Sequence, residues 1–151
     1  MADQTYMQRA RSTMEQTTAL LFGVVFLIVG IGGFIPGVTN DFDRLSTIGG
    51  EGARLVGVFG VNWIENLVHL GYAAAGLWAA TGAVRSRNYF LWGGLVYGPV
   101  WLYGMMIDLN SSANFIGVNE AGNWLHFALF LAMVALGLYF IYGRGETRRT
   151  T

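Results

Sequence analysis

Four long apolar runs divide the chain, and short polar segments separate them. Residues 16–40, 88–107 and 121–143 contain no charged residue, and residues 55–84 contain one, Glu65. A helix that crosses the hydrocarbon core of a bilayer needs about 20 mostly apolar residues, so each run is long enough to span once. The pattern predicts an all-α fold, an integral membrane four-helix bundle.

Composition and charge agree with this class. Apolar residues make up 54% of the 151-residue chain and charged residues 12%, against about 25% charged in soluble domains. Nine acidic and nine basic residues cancel, so no overall positive field attracts nucleic acid. The chain has no cysteine, which excludes disulfides and thiolate metal sites.

The basic residues predict the orientation. All nine are arginines, and seven of them lie before residue 16, between residues 84 and 88, or after residue 143. The positive-inside rule then predicts a multi-pass membrane protein with both termini in the cytoplasm. The predicted divisions are a cytoplasmic segment at 1–17, a transmembrane domain at 18–143 and a cytoplasmic tail at 144–151. Two longer loops, about 38–61 and 108–120, lie outside.

A motif occurs twice in the chain. Residues 60–69 read GVNWIENLVH and residues 117–126 read GVNEAGNWLH, so that G-V-N-x3-N-x2-H repeats 57 residues apart. Upstream, 20–26 resembles 91–97 loosely. Each motif opens a helix that returns from the outer side, so the sequence predicts two repeated helical hairpins of the same orientation. Asn62 and Asn119 are predicted N-caps, because an Asn side chain accepts from free first-turn N–H groups.

The remaining polar residues of the motif continue along the same helix face. Asn62, Asn66 and His69 are spaced i, i+4 and i+7, which places His69 about 10 Å into its helix. Small residues continue the stripe in helix 2, whereas helix 4 carries two bulky residues and a glycine. We therefore expect helices 2 and 4 to face each other, with bulky residues of helix 4 packed over the small residues of helix 2. The stripe in helix 2 consists of Ala73, Gly76 and Ala80. The stripe in helix 4 consists of Phe130, Met133 and Gly137. The expected outer-leaflet polar cluster is Asn66, His69, Asn123 and His126.

Several strings resemble a family of bacterial four-helix membrane proteins of unknown function. They are N-L-V-H-L at 66–70, S-A-N-F at 112–115 and N-W-L-H at 123–126, followed by G-L at 137–138. The resemblance covers about residues 57–138; it implies the membrane topology and brings no activity with it. Members of that family often have Asp directly before N-W-L-H, where this chain has Gly122. The architecture also resembles, more distantly, four-helix subunits of the DoxX type, some of which accompany quinone-linked redox enzymes.

The first functional hypothesis is structural. Ionisable residues inside a membrane are costly, and a neutral histidine costs least among them. Hydrogen-bonded to asparagines or loop groups, the histidines would specify which helices meet. The protein would then be a structural or accessory subunit in the lipid bilayer, as a homo-oligomer or as part of a larger membrane complex, with the polar cluster joining helices 2 and 4.

Two alternatives use the histidines as ligands. His69 and His126 would be axial ligands of haem or another tetrapyrrole, with Asn66 and Asn123 orienting the imidazoles. In the second alternative, His69, His126 and Glu65 bind a metal ion, because Glu65 and His69 are i, i+4 neighbours.

Other carboxylates and an enzymatic role complete the set of hypotheses. Asp108 or Glu120 is a further candidate to complete a metal site with His126. The second motif lacks a carboxylate at the position of Glu65, which argues against a symmetric two-metal site. No nucleophile motif accompanies the histidines, so an enzyme is the least favoured hypothesis.

Overall fold

Four α-helices make up most of the part of the chain that the structure describes, as the apolar runs predicted. The computed structural model describes residues 2–49 and 52–143, with side chains from residue 13 onward. The tail predicted at 144–151 lies outside the described residues. The segment predicted at 1–17 belongs, from Ala2, to the first helix. The helices are α1 Ala2–Gly32, α2 Trp63–Ala79, α3 Ala83–Met106 and α4 Glu120–Tyr142.

Two helices of the described chain are long and apolar enough to cross a membrane. They are the Thr13–Gly32 part of α1, with mean hydropathy 1.8, and α4, with mean hydropathy 2.1. Helix α2 is shorter, at 17 residues. Helix α3 begins with Arg85 and Arg87 and is rich in glycine and aromatic residues, which lowers its hydropathy. Length and composition therefore support two of the four predicted membrane spans.

The loop between α1 and α2 contains a small antiparallel sheet that the sequence analysis did not predict. Its three strands pair in the order β1-β2-β3, and a 3-10 helix at Phe42–Arg44 follows β1. Strands of two residues are too short to show alternating hydrophobicity, which is why the pattern gave no signal. The strands are β1 Thr39–Asn40, β2 Arg54–Leu55 and β3 Phe59–Gly60. A small second core of Ala53, Leu55 and Val61 lies beneath them.

Each helix packs most closely on the helix with which it forms a hairpin. We call α1 with α2 the first hairpin and α3 with α4 the second hairpin. A Cβ atom on Gly23 would lie 2.8 Å from the backbone nitrogen of Leu77, and one on Gly94 would lie 2.8 Å from that of Val134. Glycine is therefore required at both positions, because the backbones of the paired helices touch there.

The expected close packing of α2 on α4 is wrong. Gly76, in the small-residue stripe of α2, contacts Gly23 of α1. Gly137 of α4 contacts the backbone of Leu91 in α3. The small residues of α2 thus pack against α1, the preceding helix of the same hairpin. A comparison of the two returning helices leaves out Gly23 of α1, the residue that Gly76 contacts.

Aromatic side chains fill the space between the hairpins. Phe90 of α3 is fully buried and meets Phe22 of α1 edge-on, with ring centroids 5.1 Å apart. Near the start of α3, Arg87 Nε donates to Glu15 Oε2 at 2.9 Å. Glu15 is fully buried, and the ion pair connects α1 to α3. Removing one partner would leave the other charge buried and unpaired, which destabilises the fold.

The glycine contact gives the first prediction. Gly23→Ala should lower the free energy of unfolding by about 1–3 kcal/mol, because the new methyl group forces the α1 and α2 backbones apart. Denaturant titration of the detergent-solubilised protein measures the change. Gly71→Ala is the matched control, since a Cβ on Gly71 meets nothing within 4 Å; it should leave stability unchanged or raised. Equal losses in both variants would contradict the packing.

Candidate functional site

Both copies of the motif begin a helix, and both first asparagines cap it. Asn62 Oδ1 accepts from Glu65 N at 2.9 Å, and Asn119 Oδ1 accepts from Gly122 N at 2.9 Å. The predicted N-caps are confirmed. Each cap uses one oxygen to satisfy a first-turn N–H group that the helix itself leaves free. We call the end of the bundle where α2 and α4 begin the cap end.

The amide nitrogens of the same two asparagines reach across to the other hairpin. Asn62 Nδ2 donates to Phe115 O at 2.9 Å, and Asn119 Nδ2 donates to Val58 O at 2.8 Å. Val58 and Phe115 are also 57 residues apart, so the two bonds are reciprocal. These bonds between the hairpins are additional to the predicted capping role of both asparagines. The equal spacing of donors and acceptors was the signal that could have revealed this exchange.

One residue triad occupies the interior below the caps. Glu65, His69 and His126 are 8%, 8% and 4% exposed. One ligand-type atom from each lies within 4.8 Å of the others. His126 Nε2 and Glu65 Oε1 are 3.4 Å apart. The i, i+4 spacing on α2 places Glu65 and His69 on one face, and α4 brings His126 to that face from the other hairpin.

Two aromatic rings flank the imidazoles. Phe26 of α1 stacks on His69, with centroids 5.9 Å apart and planes at 23°. Tyr97 of α3 lies on His126, with centroids 5.4 Å apart and planes at 31°. Phe26 and Tyr97 also stack on each other at 6.4 Å. The sequence analysis missed both rings, although they are the last residues of the loosely similar segments 20–26 and 91–97.

The second asparagines of the motif lie apart from the position expected for them. A Cβ on Gly33, at the end of α1, would fall 2.0 Å from Asn66 Oδ1. A Cβ on Gly104, in α3, would fall 2.2 Å from Asn123 Oδ1. Each asparagine therefore packs on a glycine of its own hairpin, where the missing side chain leaves room for the amide. The expectation that Asn66 and Asn123 face each other across α2 and α4 is wrong.

Several buried polar atoms at the cap end have no hydrogen-bond partner among the described residues. An unpaired buried polar group costs about 1–3 kcal/mol, so a concentration of them marks a place where a ligand or water completes the structure. The atoms are Glu65 Oε2, His69 Nδ1, His126 Nδ1, Asn66 Oδ1 and Nδ2, Asn123 Oδ1 and the Tyr97 hydroxyl.

The triad contains the donor atoms of a metal centre. Two imidazoles and one carboxylate are a common ligand set for divalent transition metals. A cavity of about 80 Å³ adjoins the triad, and all three side chains line it. The other carboxylates weighed for this role, Asp108 and Glu120, are exposed and lie outside the triad.

The fold and the site define the class as a helical protein in which two hairpins enclose a buried Glu–His–His triad at one end. Residues 16–139 match the family described as a Domain of unknown function (DUF4383), and the chain belongs to it. This agrees with the resemblance to a family of unknown function. No curated protein and no solved structure matches the chain.

The position of Asn66 gives the second prediction. Gly33→Ala should destabilise the protein by about 1–3 kcal/mol, because its methyl group collides with the Asn66 amide. Combining it with Asn66→Ala should recover part of the loss, giving a coupling of about 0.5–3 kcal/mol in a double-mutant cycle measured by denaturant titration.

Asn123→Ala provides the control for this cycle. Combined with Gly33→Ala, its effect should add to within about 0.5 kcal/mol, because Asn123 packs on Gly104 instead. Strict additivity between Gly33→Ala and Asn66→Ala would contradict the packing described here.

Proposed function

We propose that this protein is an integral membrane four-helix bundle that binds one divalent transition-metal ion through Glu65, His69 and His126. The observation that carries the proposal is the convergence of three buried side chains of ligand type within 4.8 Å of one another. They come from two helices of different hairpins. A bound ion would therefore also hold the hairpins together.

The chemistry of the triad favours a metal over an empty polar cluster. A carboxylate buried in an apolar interior is costly unless it is paired. A divalent ion would offset that cost and would be coordinated by the carboxylate and by one nitrogen of each imidazole. Two histidines with one carboxylate suit zinc, and the same set with open positions suits iron(II).

Exposed apolar surface supports the membrane location. Large aliphatic side chains on all four helices are at least half exposed, and such surface is atypical of soluble monomers. Only 28% and 22% of the two apolar spans are buried inside the molecule, whereas the core helix of a soluble protein is mostly buried. Examples from α1 to α4 are Ile28, Leu67, Val96 and Leu131.

The distribution of charge supports the orientation. Arg85 and Arg87 mark the end opposite the caps, and the positive-inside rule assigns that end to the cytoplasm. In this proposal both termini are cytoplasmic, the protein is a multi-pass protein of the bacterial inner membrane, and the metal centre lies in the outer leaflet.

Paired contacts support an origin in two repeated hairpins. The donors of the reciprocal bonds, Asn62 and Asn119, are 57 residues apart, and so are their acceptors, Val58 and Phe115. The glycine contacts of α1 and α3 likewise occupy matching positions. Glu65 breaks this correspondence, because its counterpart is Gly122. The single carboxylate accounts for one metal ion in an otherwise two-fold arrangement.

A second candidate function is structural. His126 Nε2 and Glu65 Oε1 are 3.4 Å apart, close enough for a direct ion pair without metal. In that case Glu65, His69 and His126 would only join α2 and α4, and the protein would serve as an accessory subunit or homo-oligomer. Haem is less well supported, because a cavity of about 80 Å³ is small against the roughly 300–1,000 Å³ of cofactor pockets.

Metal analysis gives the third prediction. The protein purified in detergent and supplied with Zn²⁺ or Co²⁺, then freed of excess ion, should retain about one equivalent. Glu65→Gln and His126→Ala should each weaken binding at least tenfold, because each removes a ligand. Glu120→Gln is the matched control, since Glu120 is an exposed acid in the first turn of α4.

The same experiment separates the two candidate functions. A folded protein that retains no metal, yet loses stability in both triad variants, would exclude the metal centre and support the structural role. Retention of metal in both triad variants would exclude this site.

Topology gives the fourth prediction. Since the chain has no cysteine, single cysteines report their own position. Ser112→Cys, in the α3–α4 loop, should react with a membrane-impermeant maleimide applied to intact spheroplasts. Thr81→Cys, in the exposed α2–α3 turn, should react only after the membrane is opened. Reaction of both from the same side would contradict the four-span arrangement.

A further inference from the structure

The cavity beside the triad has the size of a small ligand. Its volume is about 80 Å³, and beyond the triad its walls include the aliphatic side chains of Val96, Val100 and Ile116. A water molecule needs about 10–15 Å³ of such volume, so the cavity has room for about five to eight water-sized probes, and a molecule of about three non-hydrogen atoms fits in it. It is too small for drug-sized ligands, which occupy roughly 300 Å³ or more.

An ion in the triad would have free coordination positions. Three protein ligands leave at least the fourth position of a tetrahedral metal to water or another molecule. Because Glu65, His69 and His126 all line the cavity, a ligand in the cavity can reach the ion without displacing them.

Tyr97 supplies a hydrogen-bond donor at this place. It lines the cavity, is 3% exposed, and its hydroxyl has no partner among the described residues. Buried tyrosine hydroxyls usually have one. Tyr72 lines the same cavity, but its hydroxyl already donates to Gly93 O at 2.8 Å. Tyr97 therefore has a donor to offer, and Tyr72 does not.

Charge selects the class of ligand. One carboxylate and two neutral imidazoles leave a divalent ion with a net charge of about +1, within aliphatic walls. A monoanion would neutralise that charge and accept from a hydroxyl. We infer that the metal centre binds a small monoanionic ligand of about three non-hydrogen atoms in this cavity, with the Tyr97 hydroxyl as its hydrogen-bond donor. The inference rests on the proposed function, because the ligand binds to the metal.

Azide is the probe, and the Co²⁺-loaded protein is the reporter. Titration with azide should change the visible Co²⁺ absorption bands in a saturable way, as the anion enters the coordination sphere. Tyr97→Phe should bind azide about three- to tenfold more weakly, because one hydrogen bond is lost. Tyr72→Phe is the matched control and should bind it as the unaltered protein does. Val100→Phe should retain Co²⁺ and lose the response to azide, because the larger side chain fills the cavity.

The possible results distinguish a failure of this inference from a failure of the proposed metal centre. Co²⁺ binding with bands that azide leaves unchanged would overturn the inference and leave the metal centre standing. Equal azide affinity in Tyr97→Phe and Tyr72→Phe would overturn the role of Tyr97. A protein that binds no Co²⁺ would overturn the proposed function, and the inference with it.

Discussion

Backbone contact at glycine fixes how the helices of each hairpin are rotated. Where Gly23 of α1 meets Gly76 and Leu77 of α2, neither helix can turn without placing a side chain between the two backbones. Phe26 lies three residues from Gly23, and His69 lies seven residues from Gly76, so both share the contact faces. The same constraint at Gly94 directs Tyr97 inward. The burial of the triad and its flanking rings follows from these contacts.

The helices could be predicted from the sequence, but their pairing could not. Long uncharged runs have a strong signal, and the caps Asn62 and Asn119 follow from local chemistry. A stripe of small residues does not show which helix packs against it, because that depends on the three-dimensional arrangement. The sequence around Gly76 does not indicate that its partner is Gly23. The three-stranded sheet left no pattern because its strands are two residues long.

The candidate site could likewise be predicted from the sequence only in part. Spacing alone placed Glu65 and His69 on one face, and the repeated motif placed His126 at the same depth. The structure brings these three together. Asn66 and Asn123 instead pack on Gly33 and Gly104 of their own hairpins, where the glycines leave room for an amide. A glycine marks such a space only when the facing residue is known, and one sequence does not provide that.

The reciprocal bonds at the cap end have a consequence for how the chain assembles. Asn62 Nδ2 donates to a backbone carbonyl in the loop of the second hairpin, and Asn119 Nδ2 donates to one in the loop of the first. Each asparagine oxygen caps its own helix, whereas each amide nitrogen contacts the other hairpin. Each half therefore supplies an acceptor that the other half uses. The short α2–α3 turn then acts as a tether, which keeps the two halves at high effective concentration.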